Sequence, residues 1–409
     1  MTPSATNGDA AAASSRFHAS STKSAIAAEN EYAAHNYHPI PVVFARAQGV
    51  NVWDPEGKHY LDLLSAYSAV NQGHCHPELI KALAEQAGRL TLSSRAFYND
   101  VFPVWAAKVR DLFGYDMVLP MNTGAEAVET AIKIARKWAY KVKGVPQGKA
   151  HVFSVADNFH GRTIRYNNIS DLEIVLEAHG AETAAFIVEP IQGEAGVVVP
   201  DDDYLAKVHA LCKKHNVLFI CDEIQTGIAR TGKMLCCNWA GIKPDIVTLG
   251  KAISGGMYPV SCVLADKDVM MVVEPGTHGS TYGGNPLGCA VSIRALELVE
   301  EGKLADQADH LGRIFREGVE AFKSPIVQQV RGKGLLNAVV IDESAAGGRT
   351  AWDLCMLLKS KGLLAKPTHG NIIRFAPPLI ITEEELKKAL SIIGEALTEL
   401  PTAEKGDGH

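Results

Sequence analysis

A single lysine set among small residues, Gly250-Lys251-Ala252-Ile253-Ser254-Gly255-Gly256, follows directly on the apolar run Ile246-Val247-Thr248-Leu249. Such a setting suits an amine that must shed its proton and attack a carbonyl carbon rather than sit on a solvated face. A second run, Val217-Leu218-Phe219-Ile220-Cys221, ends in Asp222-Glu223-Ile224-Gln225-Thr226-Gly227. A carboxylate straight after a buried strand stays ionised only beside a cation or hydrogen-bond donors. A protonated ring nitrogen is one such partner for Asp222, and a plain cap on a strand-to-helix turn is the other reading. The run Asn122-Thr123-Gly124-Ala125-Glu126-Ala127-Val128-Glu129 opens a helix after the short strand 117–120. Its free N–H groups and helix dipole form an anion site, where Gly124 and Ala125 let a phosphate come close; an ordinary N-cap has the same residues. The fourth run is Asn158-Phe159-His160-Gly161-Arg162-Thr163. Phe159 can stack on a flat ring and Arg162 can grip a carboxylate with two N–H groups, or they are a core aromatic and a surface cation.

A phosphate cradle, a stacking ring, a carboxylate and an isolated lysine at successive strand ends match one cofactor, pyridoxal 5'-phosphate. A nicotinamide cofactor would want a G-x-G-x-x-G turn after the first strand, and that context is missing. Eight cysteines show neither a CxxC pair nor a regular spacing, so no zinc site is expected. Adjacent Cys236 and Cys237 read as two small, soft side chains rather than a redox pair.

These residues need a sheet to hold them. From residue 117 onward short apolar runs at 117–120, 150–155, 184–188, 217–221, 245–249 and 258–264 alternate with helical stretches, beginning with 124–142. This pattern predicts an α/β fold with a mostly parallel sheet covered on both faces, whose ligands collect beyond the carboxyl ends of the strands. Before it, 48–64 reads as a small hairpin around Asp54-Pro55-Glu56-Gly57, followed by a helix from Pro77 to Leu90. After it, helices near 284–323, 350–361 and 383–398 and strands at 336–341 and 371–375 read as a smaller α+β domain. The expected division is a disordered leader over 1–28, an N-terminal segment of the small domain and interface over 29–95, a large cofactor-binding domain over 96–300, a C-terminal small domain over 301–400 and a loose tail over 401–409.

With 40 basic and 46 acidic residues the chain offers no basic field for nucleic acid or anionic membrane, and no apolar run is long enough to cross a bilayer. Small molecules are the expected partners. Arg16 and Lys23 alone supply cations to the leader, which reads as cytosolic, with the mitochondrial matrix as the alternative.

Over about residues 29–400 the chain resembles the class III (subgroup II) aminotransferases of fold type I. The resemblance rests on His35-Asn36-Tyr37-His38-Pro39, the run from Ser65 to His74, Ser94-Arg95-Ala96-Phe97-Tyr98-Asn99, Glu189-Pro190-Ile191-Gln192-Gly193-Glu194-Ala195-Gly196, the run from Gly279 to Pro286, and Lys366-Pro367-Thr368-His369-Gly370 leading into Ile373-Arg374-Phe375-Ala376-Pro377-Pro378. It implies a seven-stranded type of sheet in the large domain and a homodimer with shared active sites. Lys251 would hold the cofactor and move a proton, with Asp222 on the ring nitrogen, Gln225 near the ring hydroxyl and Phe159 over one face. Gly124 and Ala125 would bind the phosphate, joined by Ser280 and by Thr281 reaching over from the second subunit. For substrates it implies Tyr37 and Arg162 on the α-carboxylate of ornithine, Tyr67 favouring ornithine over 4-aminobutyrate, and Arg374 on the α-carboxylate of 2-oxoglutarate, masked by Glu194 in the other half-reaction. Other readings are a 4-aminobutyrate or N-acetylornithine transferase, an aminomutase, and a non-catalytic cofactor-binding protein. The last arises from a departure: after Ile164 a loop and strand usual in the family are missing before Tyr166-Asn167-Asn168. That loss is expected to bear on Arg162 and on the subunit contact.

Overall fold

Four strands of the large sheet are buried along their whole length: Thr183–Val188, Leu218–Asp222, Ile246–Leu249 and Ser261–Ala265. Alternate residues of a strand point to opposite faces. Accordingly Phe186, Val188, Phe219, Cys221, Val247 and Leu249 enter one apolar cluster, and Ala185, Ile187, Leu218, Ile220 and Ile246 enter another. A sheet apolar on both faces must be covered on both. One cover is the helix Gly124–Trp138, which buries Ala127, Val128, Ala131, Ile134, Ala135 and Trp138 at helical spacing.

The computed structural model describes residues 18–161 and 163–405. In chain order its strands are β1 Arg46–Gln48, β2 Asn51–Trp53, β3 His59–Asp62, β4 Met117–Met121, β5 His151–Ser154, β6 Thr183–Val188, β7 Leu218–Asp222, β8 Ile246–Leu249, β9 Ser261–Ala265, β10 Val327–Lys333, β11 Leu336–Ile341, β12 Leu363–Leu364, β13 Lys366–His369 and β14 Ile372–Phe375. The large sheet runs β4-β9-β8-β7-β6-β5, with β5 to β8 parallel and β9 antiparallel to both its neighbours. The mostly parallel α/β arrangement read from the alternation is therefore present.

Among the described residues this sheet has six strands, not the seven that the resemblance implies. β5 stands at its edge, and the chain beyond it closes directly: Val155 bridges Ile164 in parallel, and Ile164 N–H donates to Ser154 O at 3.0 Å. Asn168 then caps the helix Ile169–His179. The shortened connection thus supplies a single bridged residue where a further strand would lie.

Two smaller sheets flank the large one: β1-β2-β3-β12, and the antiparallel β10-β11-β14-β13. The expected hairpin is present as β2–β3, closed by Asp54 and Lys58, and β1 and β12 extend it. Strands β10 and β13 fall outside the sequence expectation, because both are too polar to show as apolar runs. The expectation of a disordered leader needs correction from Thr22 onward, where a helix runs to Tyr32. Ser21 and Ser24 form its capping box, and Thr22 N–H donates to Glu56, so local capping in an Ala-rich stretch outweighs the absence of buried residues. Residues 1–17 of that segment and 406–409 of the tail lie outside the described residues. Among the described residues no helix is long and apolar enough to cross a membrane.

Candidate active site

Asp222 closes β7 and is paired in register with Thr248 of β8. One carboxylate oxygen accepts from Ile224 N–H and from the Thr248 hydroxyl, each at 3.2 Å. The other faces His160 Nδ1 at 3.9 Å, beyond hydrogen-bond reach, and that nitrogen is buried without a partner among the described residues. Next to Asp222, the buried Glu223 carboxylate accepts from Cys236 N–H and Cys237 N–H at 3.0 and 2.7 Å, which fixes the turn after the strand. Those two cysteines are buried, as a packing role requires.

Lys251 begins the short helical turn Lys251–Ser254 that follows β8, with a left-handed φ of 44°. A non-glycine residue there is strained, which ties its side-chain direction to the surrounding fold. Burial lowers its proton affinity, while the carboxylates Asp222, Glu194 and Glu189 oppose that shift and Arg374 adds to it. The amine therefore sheds its proton more readily than a surface lysine and can act as nucleophile or base.

Thr123 and Glu126 make a reciprocal capping box at the start of the helix Gly124–Trp138. The box takes the N–H groups of Asn122, Thr123 and Glu126, leaving those of Gly124 and Ala125 for an anion. Gly124 packs so closely that a Cβ would stand 3.0 Å from Ile224.

Phe159 lines the same space; it is 67% exposed, and its N–H donates at 2.7 Å to Glu189. The second Glu189 oxygen accepts Gly193 N–H at 3.0 Å, and burial, reinforced by Asp222, raises this carboxyl to about 7. Gln225 donates to Tyr67 O at 3.3 Å and leaves no room for a side chain at Gly193, whose Cβ would fall 1.4 Å from its Oε1.

These groups enclose one cavity of about 220 Å³, walled by Gly124, Ala125, Ile224 and Phe159 and carrying His160, Glu189, Glu194, Asp222, Gln225 and Lys251. Beside it Arg374 is 1% exposed; it donates to Glu194 at 3.0 Å and to Gly193 O at 3.3 Å and lies 4.9 Å from the Tyr67 ring centre. Tyr37 lies outside this lining, exposed, with Lys366 Nζ 5.6 Å from its ring. Ser280 and Thr281 line a separate cavity near the same helix start, where Asn122 donates to the Ser280 hydroxyl. Arg162 lies outside the described residues.

Two ionisable members of the lining were not singled out from the sequence. Glu189 comes directly after the buried strand β6, much as Asp222 closes β7, so the signal that found Asp222 was available. His160 lies in the run from Asn158 to Thr163, but only the fold brings its ring to Asp222.

The chain matches the class-III aminotransferase family over residues 32–171 and again over 164–397. It belongs to that family, and pyridoxal 5'-phosphate is the cofactor. The cavity fits this group: free N–H donors for a phosphate, a deprotonable amine, and a carboxylate for the ring nitrogen lie around one space. Among relatives, an ornithine aminotransferase of Emericella nidulans is 65% identical, covering 98% of this chain and 95% of its own. That alignment runs over 434 positions, at least 25 more than the 409 residues here, so the relative carries residues this chain lacks. The two family matches meet at 164–171, beside the shortened connection. Among solved structures, an acetylornithine aminotransferase of Elizabethkingia anophelis superposes with a TM-score of 0.89 at 54% identity, covering 93% of this chain and all of that one. Plasmodium falciparum ornithine delta-aminotransferase gives 0.89 at 46% identity, covering 94% and 100%.

Proposed function

We propose that this chain transfers the δ-amino group of L-ornithine to 2-oxoglutarate, yielding glutamate 5-semialdehyde and glutamate. The observation that carries this reading is the Arg374–Glu194 pair, a buried guanidinium covered by a carboxylate that is 44% exposed. A donor reacting through its terminal amine has no carboxylate next to the reacting carbon, so it needs that guanidinium neutralised. The 2-oxo acid reacts next to its α-carboxylate and needs the guanidinium free. A partly exposed acid on a buried arginine can serve both by moving aside.

When bound, pyridoxal phosphate would supply an aldehyde that exchanges amines and a ring that withdraws electrons from the carbon losing its proton. Lys251 would hold that aldehyde, and its Nζ, once displaced, would take a proton from the δ-carbon of ornithine and deliver it back. Asp222, held by Ile224 N–H and Thr248, would keep the ring nitrogen protonated. Gln225 would orient the ring hydroxyl, Phe159 would cover one face, and Gly124 and Ala125 would bind phosphate. Ser280 and Thr281, which line a different cavity in their own chain, suit a site completed across a homodimer. Tyr37 and Arg162 would take the α-carboxylate of ornithine, with Tyr67 shaping the pocket. The two cations in residues 1–28 favour a cytosolic address.

The acetylornithine neighbour favours a second reading with the same chemistry at the δ-carbon. Purified holoprotein given 2-oxoglutarate with ornithine, N-acetylornithine or 4-aminobutyrate separates them. Ornithine should give the highest kcat/KM and a trapped cyclic product of the semialdehyde. Preference for N-acetylornithine would replace the proposed donor.

A further inference from the structure

Lys366 opens β13 and stands directly opposite Arg374 of β14. Like charges facing each other across an antiparallel pair are destabilising. Arg374 has Glu194 to offset its charge, whereas no carboxylate lies within ion-pair distance of Lys366 among the described residues. Lys366 Nζ instead donates to the Tyr67 hydroxyl at 3.2 Å and lies 5.9 Å from the Tyr67 ring centre and 5.6 Å from that of Tyr37. The Tyr67 ring thus has two cations near it, Arg374 at 4.9 Å and Lys366.

Tyr67 is itself held at a cost. Ser65, Ala66, Tyr67 and Ser68 all adopt left-handed φ between 48° and 68°, a conformation that L-residues with side chains avoid. Its carbonyl accepts from Gln225 in the cofactor cavity, while its side chain, with Lys366, lines a neighbouring cavity of about 200 Å³. Lys366 lines this neighbouring cavity and not the one that carries Lys251, so its charge stands apart from the reacting amine.

We propose that Lys366 is a further carboxylate-binding cation of this pocket, receiving the substrate carboxylate farthest from the reacting carbon. The inference rests on the proposed reading, in which ornithine and 2-oxoglutarate both direct a carboxylate away from Lys251. Arg374 then serves one half-reaction, and Lys366, hydrogen-bonded to Tyr67 and facing Tyr37, serves both. Removing a charged donor from such a contact weakens binding by about 10- to 100-fold.

The test uses holoenzyme carrying Lys366→Met or Lys366→Arg. The methionine variant should raise KM at least about tenfold for ornithine and for 2-oxoglutarate with kcat changed little, and the arginine variant should restore both. The first half-reaction of 1,4-diaminobutane, which is ornithine without its carboxylate, followed by single turnover with no 2-oxo acid present, should not change. A purely structural role would lower turnover of both amines alike, and that result overturns the proposal. Glutarate binding to wild-type and Lys366→Met holoenzyme, followed by calorimetry, stands apart from the choice of donor. Weaker glutarate binding in the variant supports the role of Lys366 even if wild type rejects ornithine, and equal binding overturns it even if ornithine is the donor.

Discussion

The ends of β7 and β8 and the pair β13–β14 both set charged side chains around one substrate space, by different means. Asp222 and Lys251 follow adjacent parallel strands, and the carboxylate is locked by a backbone N–H and the Thr248 hydroxyl of the next strand. Arg374 and Lys366 face each other across an antiparallel pair of another sheet, and they reach the site through Glu194 and Tyr67. The first arrangement fixes reacting groups in a rigid frame, as proton transfer requires. The second leaves partners that can exchange, as selection between two substrates of different charge pattern requires. Under the proposed function, chemistry falls to the large sheet and choice of substrate to the small one.

Breaking the first region should have the largest effect. Asp222→Asn keeps the shape but removes the charge for the ring nitrogen. It should lower kcat by about 10³-fold in both half-reactions, measured by single turnover, with modest change in KM. An effect confined to one half-reaction would dissolve the division of labour.

Glu189 ties the two regions together, since its carboxylate holds Phe159 N–H on one side and Gly193 N–H, next to Glu194, on the other. Burial raises it to about 7 from 4.5. Between those values the folded chain keeps a proton that the unfolded chain has released, so its contribution to stability falls as pH rises through that window. Glu189→Gln abolishes this dependence. In cofactor-free protein, unfolding free energy of the variant relative to wild type should therefore rise by about 3 kcal/mol from pH 4.5 to 8. A pH-independent difference would show that Glu189 is already ionised in the folded chain.

Arg374→Gln should reduce kcat/KM for 2-oxoglutarate by about 100-fold and leave the ornithine half-reaction within a few-fold. Glu194→Gln, which uncovers the guanidinium, should have the smallest effect. It should weaken the preference for ornithine over donors bearing a carboxylate beside the reacting amine by about tenfold, as a kcat/KM ratio. Equal losses in both half-reactions for either variant would remove the switch.

The two regions also differ in how far they were legible. Asp222, Lys251 and the Gly124-Ala125 turn were visible because a buried parallel strand is a continuous apolar run, and the residue ending it is polar for a reason. The placement of Lys366 beside Tyr67 was not visible, because β13 is a polar strand and its register against β14 is set by long-range packing. Tyr67, Glu194 and Arg374 were reached only through motif resemblance, since they lie on segments 127 and 180 residues apart that no local pattern connects. The six-stranded sheet follows from the shortened connection after Ile164, which the sequence did show. Helical capping at Ser21 was missed because an Ala/Ser-rich composition reads equally as coil.

Borohydride reduction of the holoprotein, followed by peptide mass analysis, tests the central claim most directly, because it fixes the cofactor's carbon onto whichever amine holds it. A single phosphopyridoxyl label on the peptide containing Lys251 is the expected result. A label on another lysine, or none in protein that turns over ornithine, would contradict it.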